Sequence, residues 1–250
     1  LGLNGAFRPP RLYTGSDNSD ALDRFALDGT CDRPIGKLTV KSGTKHFVES
    51  YKGLTVNQKL LLSVVDQSPV RDGGTAGDAL WDSIHLAEEA EKLGYARYWL
   101  TEHHSSTNLA GTSPEILIGQ VAAHTSTIRV GSGGVMLSHY SALKVAETFR
   151  VLTALYPDRI DLGIGRAPGS DPITAAALAY PGRPNEVHHY PQQVADLLGH
   201  LNGRLDPDHV FAGIRAGPGA PNAPDVWMLG SRYESAFMAA QLGLPFAYAH

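Results

Sequence analysis

The chain has 250 residues, 42% of them apolar and 18% charged, with a formal net charge of −4 and one cysteine, Cys31. This composition is ordinary for a soluble globular protein, and the length allows roughly 70–75% of the unfolded chain's surface to be buried. The acidic balance argues against a nucleic-acid surface or a polybasic membrane patch, and no apolar run approaches the ~20 residues of a membrane helix.

A single cysteine excludes an internal disulfide and fits a reducing cytoplasm. The first residues lack the charged start and apolar stretch of a signal peptide, so a cytoplasmic location is expected. The chain begins with Leu1 and stops at His250 directly after an apolar run. Both ends lead us to expect a fragment of a longer protein.

Residues 1–58 hold no sustained period of 2 or 3.6. They contain Pro9-Pro10, Gly43-Thr44 and a run from Gly15 to Asp20 of turn-forming residues, so an irregular or disordered extension is expected, with room for a short strand near 37–40. From Lys59 the texture changes. Residues 60–65 are a compact apolar strand signal. A helix follows over 80–93, with Leu80, Ile84, Ala87 and Ala90 at helical spacing and Gly94 at its C-terminal cap. A second strand is expected at 98–101, a helix opened by Ser113-Pro114-Glu115 and ending near His124, and a third strand at 128–131. A helix over 143–155 and a strand at 159–163 come next. Beyond a Gly/Pro-rich insertion lie a helix at 192–201, a strand at 226–229, a helix at 234–242 and a strand at 245–249.

Strands alternating with helices imply βαβ units and a parallel sheet. Strand starts near 60, 97, 128 and 160 step by about 31–37 residues, the period of an eight-unit barrel of ~250 residues. The expected fold is therefore α/β, a TIM-type (β/α) barrel filling 59–250, with about six of eight units present. A doubly wound sheet competes, but it usually carries a glycine-rich turn after its first strand. Here that strand ends in Asp66-Gln67-Ser68-Pro69.

Chemistry in such a barrel sits where strands end and βα loops begin. The strand ends read Asp66-Gln67-Ser68, Glu102-His103-His104, Gly131-Ser132-Gly133-Gly134, Gly163-Ile164-Gly165-Arg166 and Gly230-Ser231-Arg232. Glycines there let a flat ligand approach the backbone. Neighbouring histidines on a strand point to opposite faces, so His103 and His104 do not suit one metal ion, and no metal site is expected. By alternation Trp99, Thr101 and His103 share a face, which offers one imidazole as a general acid or base or simply as a packed side chain. Arg166 can present a forked cation to a phosphate or form an ordinary surface ion pair. Ser231 at the start of a helix reads as an N-cap, and with Arg232 and free helix amides it also makes an anion site. His188-His189-Tyr190-Pro191 reads as a solvated loop, and Cys31 has no base to activate it.

Taken in order, Leu62-Ser63-Val64-Val65-Asp66-Gln67-Ser68-Pro69-Val70, Tyr98-Trp99-Leu100-Thr101-Glu102-His103-His104, Val130-Gly131-Ser132-Gly133-Gly134-Val135-Met136-Leu137 and Arg159-Ile160-Asp161-Leu162-Gly163-Ile164-Gly165-Arg166-Ala167-Pro168-Gly169 resemble the bacterial luciferase-like monooxygenases. The resemblance is closest to the single-chain luciferase family oxidoreductases and covers about residues 60–250. It implies a TIM-type barrel that binds reduced FMN supplied by a separate flavin reductase. Dioxygen then forms a peroxyflavin that monooxygenates a small organic substrate, in a protein that is often a homodimer.

The resemblance also implies roles. His103 is the catalytic histidine. Gly133-Gly134 is the place of a non-proline cis peptide against the flavin ring, and Gln67, Gly165 and Gly230 also line the cofactor. Arg166, Ser231, Arg232 and Ser235 hold its phosphate. Ser138 and Ala142 stand where relatives frequently have prolines. Two other readings stay open: a deazaflavin-dependent reductase of the same superfamily, and a non-catalytic flavin-binding barrel.

Overall fold

The computed structural model describes residues 60–166, 171–183, 187–219 and 221–249. The extension expected over 1–58, its strand near 37–40 and Cys31 lie outside the described residues, as do Ala167-Pro168-Gly169. Among the described residues six strands and six α-helices follow one another, with two helices between the fourth and fifth strands: β1 (Ser63–Asp66), α1 (Ala76–Lys92), β2 (Arg97–Leu100), α2 (Pro114–His124), β3 (Arg129–Met136), α3 (Ala142–Leu155), β4 (Ile160–Gly165), α4 (Pro172–Ala179), α5 (Tyr190–Asn202), β5 (Asp225–Gly230), α6 (Tyr233–Gln241) and β6 (Phe246–Tyr248).

All five strand pairs are parallel, and the sheet order is β1-β2-β3-β4-β5-β6. Each crossover therefore moves one strand further in the same direction. A doubly wound sheet must reverse its order at a switch point; this one does not, so it is the wall of a β/α barrel, six strands long and open as an arc.

Several helix boundaries follow from local chemistry. Thr75 closes a capping box with Asp78 at the start of α1. Gly94 takes φ +80° just beyond the end of α1, a conformation open to glycine at little cost. Gly203, at φ +62°, ends α5 in the same left-handed region. Two expectations need correcting. Strand β3 runs on to Met136, so Gly131 to Gly134 lie inside a strand and not in a loop after it. The insertion after β4 also holds a helix, α4, started by Asp171 accepting from the Ile173 and Thr174 amides.

The two faces of the sheet differ. Tyr98, Leu100, Val130, Ile160, Leu162, Ile164 and Met228 face the helices and join Ile118, Val121, Phe149, Val194 and Leu197 in one core. Each such side chain contributes about 1.5–3 kcal/mol by leaving water. The residues between them in sequence line the concave face, where charge gathers at the strand starts. Asp161, fully buried, accepts from Arg97 Nε at 3.0 Å, Arg129 Nε at 2.8 Å and Trp99 Nε1 at 2.9 Å. Arg97 also lies over the Trp227 ring, 4.9 Å from its centroid.

At the same end Glu91 of α1 accepts from the backbone amides of Ser126, Thr127 and Ile128, tying α1 to the turn that leads into β3. Desolvation pushes this carboxyl up, but the three amides and the Thr127 hydroxyl outweigh it and hold the pKa at about 2. A folded pKa below the ordinary 4.5 gives stability that is complete above pH 4.5 and is lost as pH falls toward 2. Glu91→Gln should therefore cost about 1–3 kcal/mol at pH 7. The gap between variant and wild type should close between pH 4.5 and 2, as read by chemical denaturation across that range.

Candidate active site

The register places all the expected site residues at one end of the sheet. Asp66 pairs with Leu100, Leu100 with Ser132, Met136 with Gly165, and Gly165 with Leu229. Gln67, His103, Gly133-Gly134, Gly165-Arg166 and Gly230-Ser231 thus follow one another across five adjacent strands.

Gln67 is exposed, whereas its neighbours Asp66 and Ser68 are buried. Asp66 accepts from the Tyr98 hydroxyl at 2.7 Å and from the Ser68 amide at 2.8 Å. Ser68 turns the chain at φ 50°, so the Gln67 side chain leaves a tightly held corner.

His103 lies just past β2. Its Nδ1 is 3.0 Å from the Thr101 hydroxyl, and its amide donates to the Gly111 carbonyl. Thr101 and His103 both lie past the end of β2 at Leu100, so their side-chain contact, and not strand alternation, brings them together. Among the described residues nothing hydrogen-bonds to His103 Nε2. His104 points elsewhere, with its Nε2 2.8 Å from the buried Glu102 carboxylate.

The Gly133-Gly134 peptide is cis, and β3 shifts register against β4 between Ser132 and Val135. Backbone fills the space beside it: a Cβ on Gly134 would lie 2.7 Å from the Gly163 carbonyl oxygen. A Cβ on Gly133 would lie 3.1 Å from Trp99 Cβ, and the Trp99 ring meets Trp227 edge to face at 5.3 Å. A Cβ on Gly165, by contrast, would meet nothing within 4 Å. The surface beside Gly165 is open backbone.

At β5, the expected Ser231 cap is incorrect. Arg232 is the N-cap of α6, no side chain caps the helix, and Ser231 is exposed. The chain remains extended for one more residue, with Arg232 at φ −121° and ψ 155°, so Ser231 falls outside the reach of the first-turn amides. Those amides remain open to an anion. Ser235, in the first turn and buried, sits so close to Gly230 that a Cβ there would lie 2.7 Å from its Oγ.

The sequence reading missed Tyr190. It begins α5, is 3% exposed, and its buried hydroxyl has no hydrogen-bond partner among the described residues. Burial pushes its pKa up, and the Arg166 charge partly opposes that. An unpaired buried hydroxyl is costly, and this one stands within the field of the strand-end arginine. The signal available in sequence was Pro191, a residue suited to the first turn of a helix, which makes Tyr190 helical and not part of a solvated loop.

The residues converge on the concave face and its rim. One cavity, of about 390 Å3 between α1 and α2, reaches Thr101 and Gly111, the partners of His103, and another, of about 850 Å3, lies around His200 and Arg204 after α5. No helix among the described residues is long and apolar enough to cross a membrane.

Residues 61–250 match the family model for luciferase-like monooxygenases. A luciferase-like monooxygenase of Escherichia coli K12 is 46% identical over 193 residues, 77% of this chain and 56% of the relative. The chain thus spans about half the length of the curated relatives it matches. The crystal structure of apo-MsnO8 is 49% identical, with a TM-score of 0.69 over 77% of this chain and 56% of that one. The oxygenating constituent of 3,6-diketocamphane monooxygenase from Pseudomonas putida, solved with FMN, shares the fold at 18% identity. Its TM-score is 0.61 over 76% of this chain and 57% of that one.

Proposed function

The chain belongs to the luciferase-like monooxygenase family, and from that premise we propose that it carries the cofactor site of an FMN-dependent monooxygenase acting on a small organic substrate. The observation that carries the cofactor reading is the register that sets Gly165-Arg166 at the end of β4 beside Gly230 of β5, where the chain enters the uncapped α6 terminus, with the buried Tyr190 hydroxyl in the field of Arg166. Open amides, a guanidinium and a spare hydroxyl make a site for a dianionic phosphate. Glycine backbone at Gly133-Gly134 and Gly165 suits a flat ring lying against the strands. Strands spaced by ~4.8 Å put β2 and β5 roughly 14 Å apart along the arc, a span comparable with the reach of FMN from ring to phosphate.

Reduced FMN would supply the electrons that activate dioxygen. In this reading Arg166, Ser231, Arg232, Ser235 and the α6 amides hold the phosphate. Gln67 and Gly230 border the ring and its ribityl chain. His103 is the proton-carrying group: Thr101 engages its Nδ1 and leaves Nε2 without a partner among the described residues. With Thr101 donating to Nδ1, Nε2 bears the proton and can deliver it; with Thr101 accepting, Nε2 can take one. Residues 59–250 form the functional domain, 1–58 an appendage, a separate flavin reductase supplies the cofactor reduced, and the protein works in the cytoplasm as a homodimer.

FMN binding followed by visible absorbance should saturate, and Arg166→Ala should weaken it about tenfold to a hundredfold by removing a charge-assisted contact. Oxygen uptake with reduced FMN supports the monooxygenase. Preference for deazaflavin, with hydride transfer and no oxygen uptake, would overturn it in favour of a reductase. Tight FMN binding with no oxygen-dependent turnover would leave only a flavin-binding barrel.

A further inference from the structure

Between β2 and β3 the backbone ladder ends at the Leu100–Ser132 pair, because β3 bulges directly beyond it. His103 and the Gly133-Gly134 peptide both lie past that point. What joins the two strands there is a side chain. Glu102 is 5% exposed, and its Oε2 accepts from the Met136 amide at 2.8 Å. Its Oε1 accepts from the Tyr140 hydroxyl at 2.5 Å and lies 2.8 Å from His104 Nε2.

The far side of this link is also held. Gln193 of α5 donates its amide to the Leu137 and Tyr140 carbonyls, both at 2.7 Å. The segment from Met136 to Tyr140 is thereby fixed between α5 and the Glu102 carboxylate. Three donors on one buried carboxylate compensate its desolvation, and together they set where the end of β3 stands relative to the end of β2.

We propose that Glu102 is a positioning residue, whose carboxylate replaces the missing ladder and sets where His103, past the end of β2, stands relative to the Gly133-Gly134 peptide of β3. The inference rests on the reading of those residues as the cofactor site, but it concerns the protein without cofactor as well. Glu102→Gln keeps the shape and turns one acceptor into a donor, which then faces a donor from Met136, Tyr140 or His104. The bonds survive only if Tyr140 or His104 turns from donor to acceptor, and they lose their charge assistance, so the link that holds the two strand ends is weakened.

The test compares wild type, Glu102→Gln and Tyr140→Phe. The second variant removes one donor and leaves the other two, and so serves if the first fails to fold. In the FMN-free protein, the Gly133 and Gly134 amide and His103 ring resonances should shift together in each variant. Exchange of the Met136 amide should accelerate at least about tenfold in Glu102→Gln. With FMN, each variant should show a shifted flavin absorption band, and Glu102→Gln should bind about fivefold or more weakly. If melting temperature falls while these resonances, the flavin band and the affinity stay at wild-type values, Glu102 serves stability alone and the proposal is overturned. If the resonances move as expected but the wild type binds no FMN, the positioning link stands and the cofactor reading falls.

Discussion

Asp161→Ala is expected to unfold with about 3–5 kcal/mol less free energy than the wild type, because it strips the partner from buried positive charge. The aspartate is fully buried on the concave face, and four nitrogens converge on it: Arg97 Nε, Trp99 Nε1, and Nε and Nη2 of Arg129. Both arginines are largely buried too, with side-chain exposures of 22% and 24%. Alanine leaves these register neighbours on β2 and β3 side by side, with the exposed Asp225 as the remaining counter-charge for Arg129.

Asp161→Asn should fall between, since its oxygen still accepts while its amide opposes a donor. Asp225→Ala is the control in the same cluster. It also pairs with Arg129, at 2.6 Å, but is 61% exposed, so its loss should cost under ~1 kcal/mol. Urea denaturation of the three variants reads these differences, and an Asp161→Ala loss no larger than that of Asp225→Ala would show that the cluster adds no stability.

His103→Ala should lower oxygen-dependent turnover with reduced FMN by about 10²–10⁴-fold, the range for losing a positioned acid or base. Affinity for oxidised FMN should stay within about twofold, because the proposed phosphate contacts lie on β4, β5 and α6. Thr101→Val, which removes the Nδ1 partner without emptying the space, should lose less, about tenfold, by freeing the ring to rotate. Parallel turnover and affinity measurements separate the roles. Loss of FMN affinity in His103→Ala equal to its loss of turnover would make the histidine a binding group and not a catalytic one.

Much of the fold was legible because barrel units repeat. The apolar runs at β2, β4, β5 and β6 and the helical spacing of α1, α2 and α3 depend on local periodicity, which sequence carries directly. The boundary errors have physical causes. Leu60 to Leu62 are apolar but exposed, and β1 begins only at Ser63, where pairing with Arg97 starts. Strand β3 continues through Gly131 to Gly134 although glycine weakens strands. A side chain on Gly134 would collide with the Gly163 backbone, so close approach overrides propensity there.

The candidate site divides in the same way. The sequence by itself determined which chemical groups stand at the strand ends, because strand ends are local features and the parallel order brings them to one rim. It thereby indicated His103, the Gly133-Gly134 pair and Arg166. Only the tertiary structure decided which groups serve them. Tyr190 reaches the field of Arg166 from α5, and Glu102 joins β3 through the Met136 amide, 34 residues along the chain. The open α6 terminus depends on one extra extended residue before the helix. Such contacts join distant segments, and burial and hydrogen-bond geometry set them; no local period in the chain encodes either.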